Sequence, residues 1–295
     1  ALAARLAGIR NSFVTITGLG SLFVNDDWRS LVLRQMLLLQ YRCVLPFVRK
    51  VFFQNPDDLA YFVSRGILAR DAAVPTLGSG IDLTEYPRPT AAETREARAQ
   101  LAQEIGEVAD DAMVILFPAR GVPEKGFSEF YAAARYLSQH SPGKYIFLHA
   151  GLIDSESLGH LSAKSVAELA ESCGVHYLGF KSNLRRYMLA ADVAVLPSYR
   201  EGVPRSLIEA LALGKTIVAS DVPGCREVVR DGWNGYLCEV RSSTSLAEKL
   251  LLLDHDFVDS AVSRSRRLCE EKFDSRFVVA STMREYFGSE AEGRS

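Results

Sequence analysis

Glu201 and Glu209 stand with seven residues between them, around the turn Gly202-Val203-Pro204. Pro204 suits the first position of a helix, because the N–H it lacks would have had no intrahelical partner there. Gly202 lets the backbone approach a ligand closely, and the free N–H groups of a helix start attract an anion. Two acids beside such a turn are out of place around a bare phosphate. They suit a ligand that also brings hydroxyls, since ionised carboxylates accept paired hydrogen bonds from vicinal diols. Taken singly, Glu201 reads equally well as a loop charge and Glu209 as the partner of a nearby Arg or Lys. Glu209, however, lies among Ile208, Ala210, Leu211 and Leu213, where a carboxylate is rarely placed without a partner.

A second group of charges follows an apolar run. Arg120 and Lys125 sit on the Gly-rich turn Gly121-Val122-Pro123-Glu124-Lys125-Gly126, directly after Met113–Pro118. Fixed cations there could offset the charge of a departing diphosphate without a metal; a merely solvated loop is the alternative. The turn is not a P-loop, because the Gly-x4-Gly-Lys-[Ser/Thr] order is absent. Gly18-Leu19-Gly20 and Gly78-Ser79-Gly80 lack the third glycine and downstream acid of a dinucleotide fingerprint. Both read as turns that line a cleft. Asp254-His255-Asp256 matches the form of a metal-holding Asp-x-Asp pair, but it lies in the C-terminal helical stretch, and no metal is expected.

The elements that must position these groups alternate regularly. Strands fit Met113–Pro118, Tyr145–Ala150, His176–Leu178, Asp192–Leu196 and Thr216–Ala219. Helices fit Ser128–Gln139, Ser162–Cys173, Asn183–Ala190 and Ser206–Leu213. Short apolar runs separated by amphipathic helices predict a parallel sheet with helices on both faces. Such sheets bind ligands at the carboxyl ends of their strands, where the loops after Pro118, Ala150, Leu178 and Pro197 all lie. Upstream, strands are expected at Phe13–Thr17, within Val44–Phe53 and at Ala73–Leu77. Helices are expected at Trp28–Tyr41 and at Asp57–Arg65, the latter capped by Asn55 and Pro56. The stretch Thr84 to Glu107, with Pro87, Pro89 and a charged helix at Ala91–Glu104, carries the domain boundary. Thr244 to Phe287 is expected to be nearly all helix.

At 295 residues the chain exceeds the usual size of a single core and is expected to form two domains. A net charge of −2 gives no sign of a nucleic-acid partner. Residues 1–56 are nevertheless basic, with seven Arg and Lys against two Asp. A basic, Leu-rich segment suits an anionic lipid surface or a polyphosphate, or is simply a basic helix face. Five scattered cysteines without a Cys-x-x-Cys pair fit reduced thiols in a cytosol. The five histidines show no metal-ligand spacing. The apolar stretch Trp28 to Phe53 is broken by charges, and its longest uncharged runs, Gln35 to Tyr41 and Cys43 to Val48, fall far short of the roughly 20 residues of a spanning helix. It reads as a buried helix running into a buried strand, with a segment lying on a membrane surface as the alternative.

Together these segments resemble the retaining glycosyltransferases of family 4. The signal is the Glu-x7-Glu pair of Glu201 and Glu209, with Arg120 and Lys125, Leu189 to Ser198, Ala210 to Lys215 and Asp231 to Leu237. The resemblance implies an α/β fold of GT-B type, two Rossmann-like parallel-sheet domains with the first incomplete. Its parts would be a partial acceptor domain at 1–90, a nucleotide-sugar donor domain at 91–275 and a C-terminal helix at 276–295 packing back toward the first domain. A narrower likeness, carried by Thr15 to Gly20, Phe53 to Asp58, Gly80-Ile81-Asp82, Glu201 to Ser206 and Val222 to Glu227, is to bacterial enzymes that extend a polyprenyl-diphosphate-linked sugar.

That resemblance implies roles. Arg120 and Lys125 would hold the donor diphosphate as it leaves, and Glu209 the ribose hydroxyls. Glu201, with the N–H groups of Gly202 and Val203, would hold the donor sugar, and Gly179 and Phe180 would edge the base. Gly18, Gly20 and Asn55 fall on the acceptor side. The donor would be a UDP-sugar of N-acetylhexosamine type, with no cofactor or metal. The acceptor would be a polyprenyl-diphosphate-linked sugar at the cytoplasmic face of a membrane, for cell-surface glycan assembly. Val203-Pro204 replaces the Phe-Gly of many relatives and removes one backbone donor. The chain is also expected to start inside the acceptor domain, without an opening glycine-rich loop and a histidine that relatives often use, which puts the activity of this piece alone in question. A soluble acceptor, or a nucleotide-sugar-binding subunit without turnover, are the competing readings.

Overall fold

The structure, a computed structural model, describes residues 1–9, 11–24, 27–106, 108, 109, 111–154 and 162–287. Its larger sheet is built from runs of four to six residues, buried on both faces in the four central strands and partly exposed in the two edge strands. These are β4 (Met113–Phe117), β5 (Tyr145–Ala150), β6 (Val175–Gly179), β7 (Val193–Leu196), β8 (Thr216–Ser220) and β9 (Gly235–Cys238). All pair in parallel, in the order β6-β5-β4-β7-β8-β9. Helices cover both faces and bury Phe117, Phe127, Phe130 and Phe147 on one side and Ala97, Leu101, Tyr187 and Met188 on the other.

This order has one consequence for function. The chain runs outward from β4 through β5 to β6, then restarts beside β4 at β7 and runs the other way. β4 and β7 are therefore neighbours whose following loops leave in opposite directions, which opens a crevice at their carboxyl ends. The Arg120–Lys125 turn follows β4 and the Glu201 loop follows β7.

The smaller sheet holds β1 (Phe13–Ile16), β2 (Lys50–Phe53) and β3 (Ala73–Pro75), again parallel and in that order. Its core packs Phe53, Phe62, Leu45 and Leu59. The helix Pro56–Ser64 starts immediately after β2, capped by the Asn55 side chain on the Asp58 amide with Pro56 in its first turn. The chain passes between the two sheets at Ile81 and at Asp274, and there the two passages pair. Ile81 N–H donates to the Phe273 carbonyl at 2.7 Å, and Ser275 N–H donates to the Ile81 carbonyl at 2.9 Å. The last helix, Ser275–Phe287, lies against the smaller sheet, with the Tyr286 ring 4.4 Å from Phe13 and 5.3 Å from Phe52.

Several elements differ from expectation. The helix Ser206–Leu213 is observed as Arg205–Ala212, so Pro204 is its N-cap and not its first residue. Of the run Val44–Phe53 only Lys50–Phe53 is strand, because the preceding helix continues through Val44 and Leu45–Phe47 winds into a 3-10 turn around Pro46. Strand β9 and the short helix Cys225–Val228 were not anticipated. The C-terminal stretch is three helices, Ser243–Leu251, His255–Lys272 and Ser275–Phe287.

Candidate active site

The two halves face each other across a cleft of about 460 Å³, within the range of small-molecule sites. Thr17, Gly18 and Gly20 line it from the loop after β1. Arg120, Lys125, Glu201 and Gly202 line it from the loops after β4 and β7. Arg120, Lys125 and Glu201, far apart along the chain, thus share one crevice at the switch point of the larger sheet, with Arg200 on its wall as well.

Lys125 closes the short 3-10 turn Pro123–Lys125, and its Nζ meets Glu201 Oε1 at 2.6 Å. The Glu201 side chain is only 9% exposed, so this pair is held largely away from water. The two loops are tied by backbone as well, Tyr199 N–H donating to the Glu124 carbonyl at 2.9 Å. Arg120 is exposed on the cleft wall, with no side-chain ion pair among the described residues. Its loop is set from beneath by His149, whose Nε2 donates to the Ala119 carbonyl at 3.0 Å, and by Gly121 N–H on the Leu152 carbonyl at 2.8 Å. His149 is fully buried, and burial pulls its pKa down to about 4.

Glu209, Gly179 and Phe180 do not line this cleft. Glu209 lies one turn into its helix and accepts from Arg205 Nε at 3.0 Å. It also bears on Tyr86, whose phenol is pushed above its ordinary value by burial first and by the Glu209 charge second. Phe180 leaves the end of β6 with its ring largely exposed, and the Gly179 carbonyl accepts from Gly151 N–H at 2.9 Å. Val203 is buried against Gly78 from the first half.

Asn55, expected on the acceptor side, lies in the first half, where it is buried and all of its amide is committed. Oδ1 accepts from Asp58 N–H at 2.8 Å, and Nδ2 donates to Asp58 Oδ2 at 3.0 Å and to the Gly202 carbonyl at 3.3 Å. Gly202 lines the cleft and also packs on the first half. A side chain there would meet the Thr17 carbonyl oxygen at 1.7 Å, so the close approach that demands glycine is to the protein's own first half. Gly18 lies against the same Gly202 backbone. Arg200, Asp58 and Thr17 escaped the sequence reading, and only the Arg-Glu-Gly order beside Glu201 hinted at the first of them. Asp254 caps the helix His255–Lys272 by accepting from Phe257 N–H at 2.8 Å. Among the described residues no three His, Cys, Asp or Glu side chains are grouped to hold a metal ion.

Solved structures share this architecture. Anabaena HepE, crystallised with UDP and glucose, superposes with a TM-score of 0.74 at 20% identity, over 96% of this chain and 73% of that one. The fold is therefore the GT-B type of glycosyltransferases. Residues 100–266 match the family described as Glycosyl transferases group 1, and the chain belongs to that family. Among curated proteins it is similar to the N,N'-diacetylbacillosaminyl-diphospho-undecaprenol alpha-1,3-N-acetylgalactosaminyltransferase of Campylobacter jejuni subsp. jejuni. Identity is 29% over 256 residues, 86% of this chain and 64% of the relative. It is also similar to the UDP-Gal:alpha-D-GlcNAc-diphosphoundecaprenol alpha-1,3-galactosyltransferase of Escherichia coli, at 22% identity over 94% of this chain and 68% of the relative. The chain thus spans about two-thirds of the length of these two relatives.

Proposed function

We propose that the protein transfers a sugar, of N-acetylhexosamine type, from a UDP-sugar to a polyprenyl-diphosphate-linked sugar, with retention of configuration and without a metal. The observation that carries this reading is the Lys125–Glu201 contact at 2.6 Å beside Arg120, at the switch point between β4 and β7. A donor diphosphate in this cleft meets two cations that can take up the charge growing on it as its bond to the sugar breaks. Glu201 then accepts hydrogen bonds from donor-sugar hydroxyls while remaining close to Lys125. The acceptor oxygen bonds to the anomeric carbon on the face that the diphosphate leaves, and its proton passes to the departing phosphate oxygen. Glu209 is assigned to the ribose, Gly179 and Phe180 to the edge of the base, and Gly18 and Gly20 to the acceptor side.

The named activities of the Campylobacter and Escherichia relatives support a lipid-linked acceptor. So does the helix Trp28–Val44, which exposes Trp28, Leu31, Leu33, Met36 and Leu39 on a basic segment, apolar and positive groups that together suit contact with an anionic membrane. No helix among the described residues is long and apolar enough to cross one. A place on the cytoplasmic face of a membrane follows from the same reading.

The test is a panel of UDP- and GDP-sugars offered to the full-length protein with a polyprenyl-diphosphate sugar or with soluble sugars, scored by product mass. Glu201→Ala and Lys125→Ala should each lower kcat/KM by at least about tenfold with unchanged thermal unfolding. Wild-type rates in both variants would remove the assignment. Product on soluble sugars alone would move the protein to the soluble-acceptor reading, and UDP binding without any product would make it a binding subunit.

A further inference from the structure

We infer that Asp58 is a positioning residue for Glu201, acting through Arg200 across the cleft, so that closure of the two halves and placement of the carboxylate are one event. The inference rests on the reading of this cleft as a sugar-transfer site. Asp58 is in the first turn of the helix Pro56–Ser64 in the first half and is 1% exposed. One of its oxygens, Oδ2, is used locally, accepting from Asn55 Nδ2 at 3.0 Å. The other, Oδ1, accepts from the guanidinium of Arg200, which comes from the second half and is itself mostly buried. The helix cap explains the first contact and leaves the second unexplained. A carboxylate buried this deeply is tolerated only with a charged partner, and the partner is supplied by the opposite half.

Arg200 and Glu201 are consecutive and reach opposite ways. Arg200 turns to Asp58 in the first half, and Glu201 stays with Lys125 in the second. Gly202, next in line, gives its carbonyl to Asn55 at 3.3 Å and lies on the Thr17 carbonyl, both in the first half. A loop belonging to the second half is therefore anchored on three sides by the first. The neighbouring cross-cleft pair makes the contrast. Asp57 meets Arg226 at 3.2 Å, but both side chains are about half exposed, and such pairs contribute little in water. The chain itself crosses between the two halves at Ile81 and at Asp274, so opening them about that crossing would draw Arg200 from Asp58 and release the Glu201 loop together.

Asp58→Asn, Arg200→Met and the double variant of the full-length protein test this, with Asp57→Asn as control. Each single variant should lower kcat at least about tenfold while donor KM stays within about threefold. The double variant should fall no further than the worse single, because both remove one link. Hydrogen exchange of the amides of residues 199–203 should quicken at least about tenfold in both singles, with β4 and β7 unchanged. Asp57→Asn should stay within about twofold of the wild type. If a single variant fails to fold, the double variant, which leaves neither a buried unpaired carboxylate nor its guanidinium, carries the same kinetic and exchange readouts. Wild-type exchange at residues 199–203, or single losses that multiply in the double variant, overturns the inference. Should the wild-type protein transfer no sugar, the exchange result still decides the clasp, and only the proposed reaction falls.

Discussion

His149 shows how a single buried residue can tie the loop after β4 to pH. Its Nε2 donates to the Ala119 carbonyl and its Nδ1 accepts from the Tyr131 hydroxyl, each at 3.0 Å, which leaves the ring neutral with both nitrogens used. A second proton would have to displace the Tyr131 donor in a site without solvent. Burial accordingly lowers its pKa to about 4, against an ordinary 6.5. Between those values the unfolded chain binds the proton and the folded one does not, so stability rises with pH across that window and is lost as pH falls through it. The full loss is on the order of 3 kcal/mol. His149→Gln, which cannot titrate, should flatten the difference in urea midpoint between pH 6.5 and 4.5 that the wild type shows. Equal slopes in the two proteins would assign the acid sensitivity elsewhere. The sequence marked His149 only as lacking metal spacing, because nothing local reveals what lies above a strand end. Arg120, Lys125 and Glu201 were legible for the opposite reason: their loops follow apolar runs, and the alternation of runs and helices already says where such loops meet. Arg200 and Asp58 lie 142 residues apart, and no local pattern joins them.

Elements were legible where burial is two-sided and the run is long. The strands Tyr145–Ala150 and Met113–Phe117 match expectation nearly to the residue, since a continuous apolar run between polar turns has few other uses. Strand β9 was not, because Gly-Tyr-Leu-Cys is four residues long with a half-exposed middle, and reads as loop. The helix Trp28–Val44 is an element whose pattern fits a surface and not a core. Trp28, Leu31, Val32, Met36 and Leu39 recur at helical spacing and are exposed, whereas Ser30 and Leu38 are buried. If this stripe meets lipid, Met36→Glu with Leu39→Glu should abolish flotation on vesicles of anionic phospholipid. Because both side chains are exposed, thermal unfolding should stay within about 0.5 kcal/mol of wild type. Unchanged flotation would take the membrane role away from this helix.

At the scale of the molecule, the decisive contact is backbone on backbone. The Gly202 carbonyl rests against Gly224, a methyl on its α-carbon would stand 1.7 Å from the Thr17 carbonyl oxygen, and Gly18 faces its N–H. Residues of one half thus back the loop on one side while the other half covers it. No rotamer change relieves a clash between a Cβ and a carbonyl, so an alanine at 202 can be accommodated only if the halves move apart or the loop leaves its place. Either response separates Glu201 from the first half while leaving the second half's own core, around Phe117, Phe130 and Leu207, untouched. Gly202→Ala should therefore keep UDP binding within about fivefold and lose at least about a hundredfold in kcat. Its radius of gyration by small-angle scattering should exceed the wild type's. A variant that turns over normally at the wild-type radius would show that the two halves need not meet at Gly202 for transfer to occur. The alternative loss, of UDP binding and turnover together, would mean that the loop had collapsed within the second half, and would place the role of Gly202 there and not in joining the two.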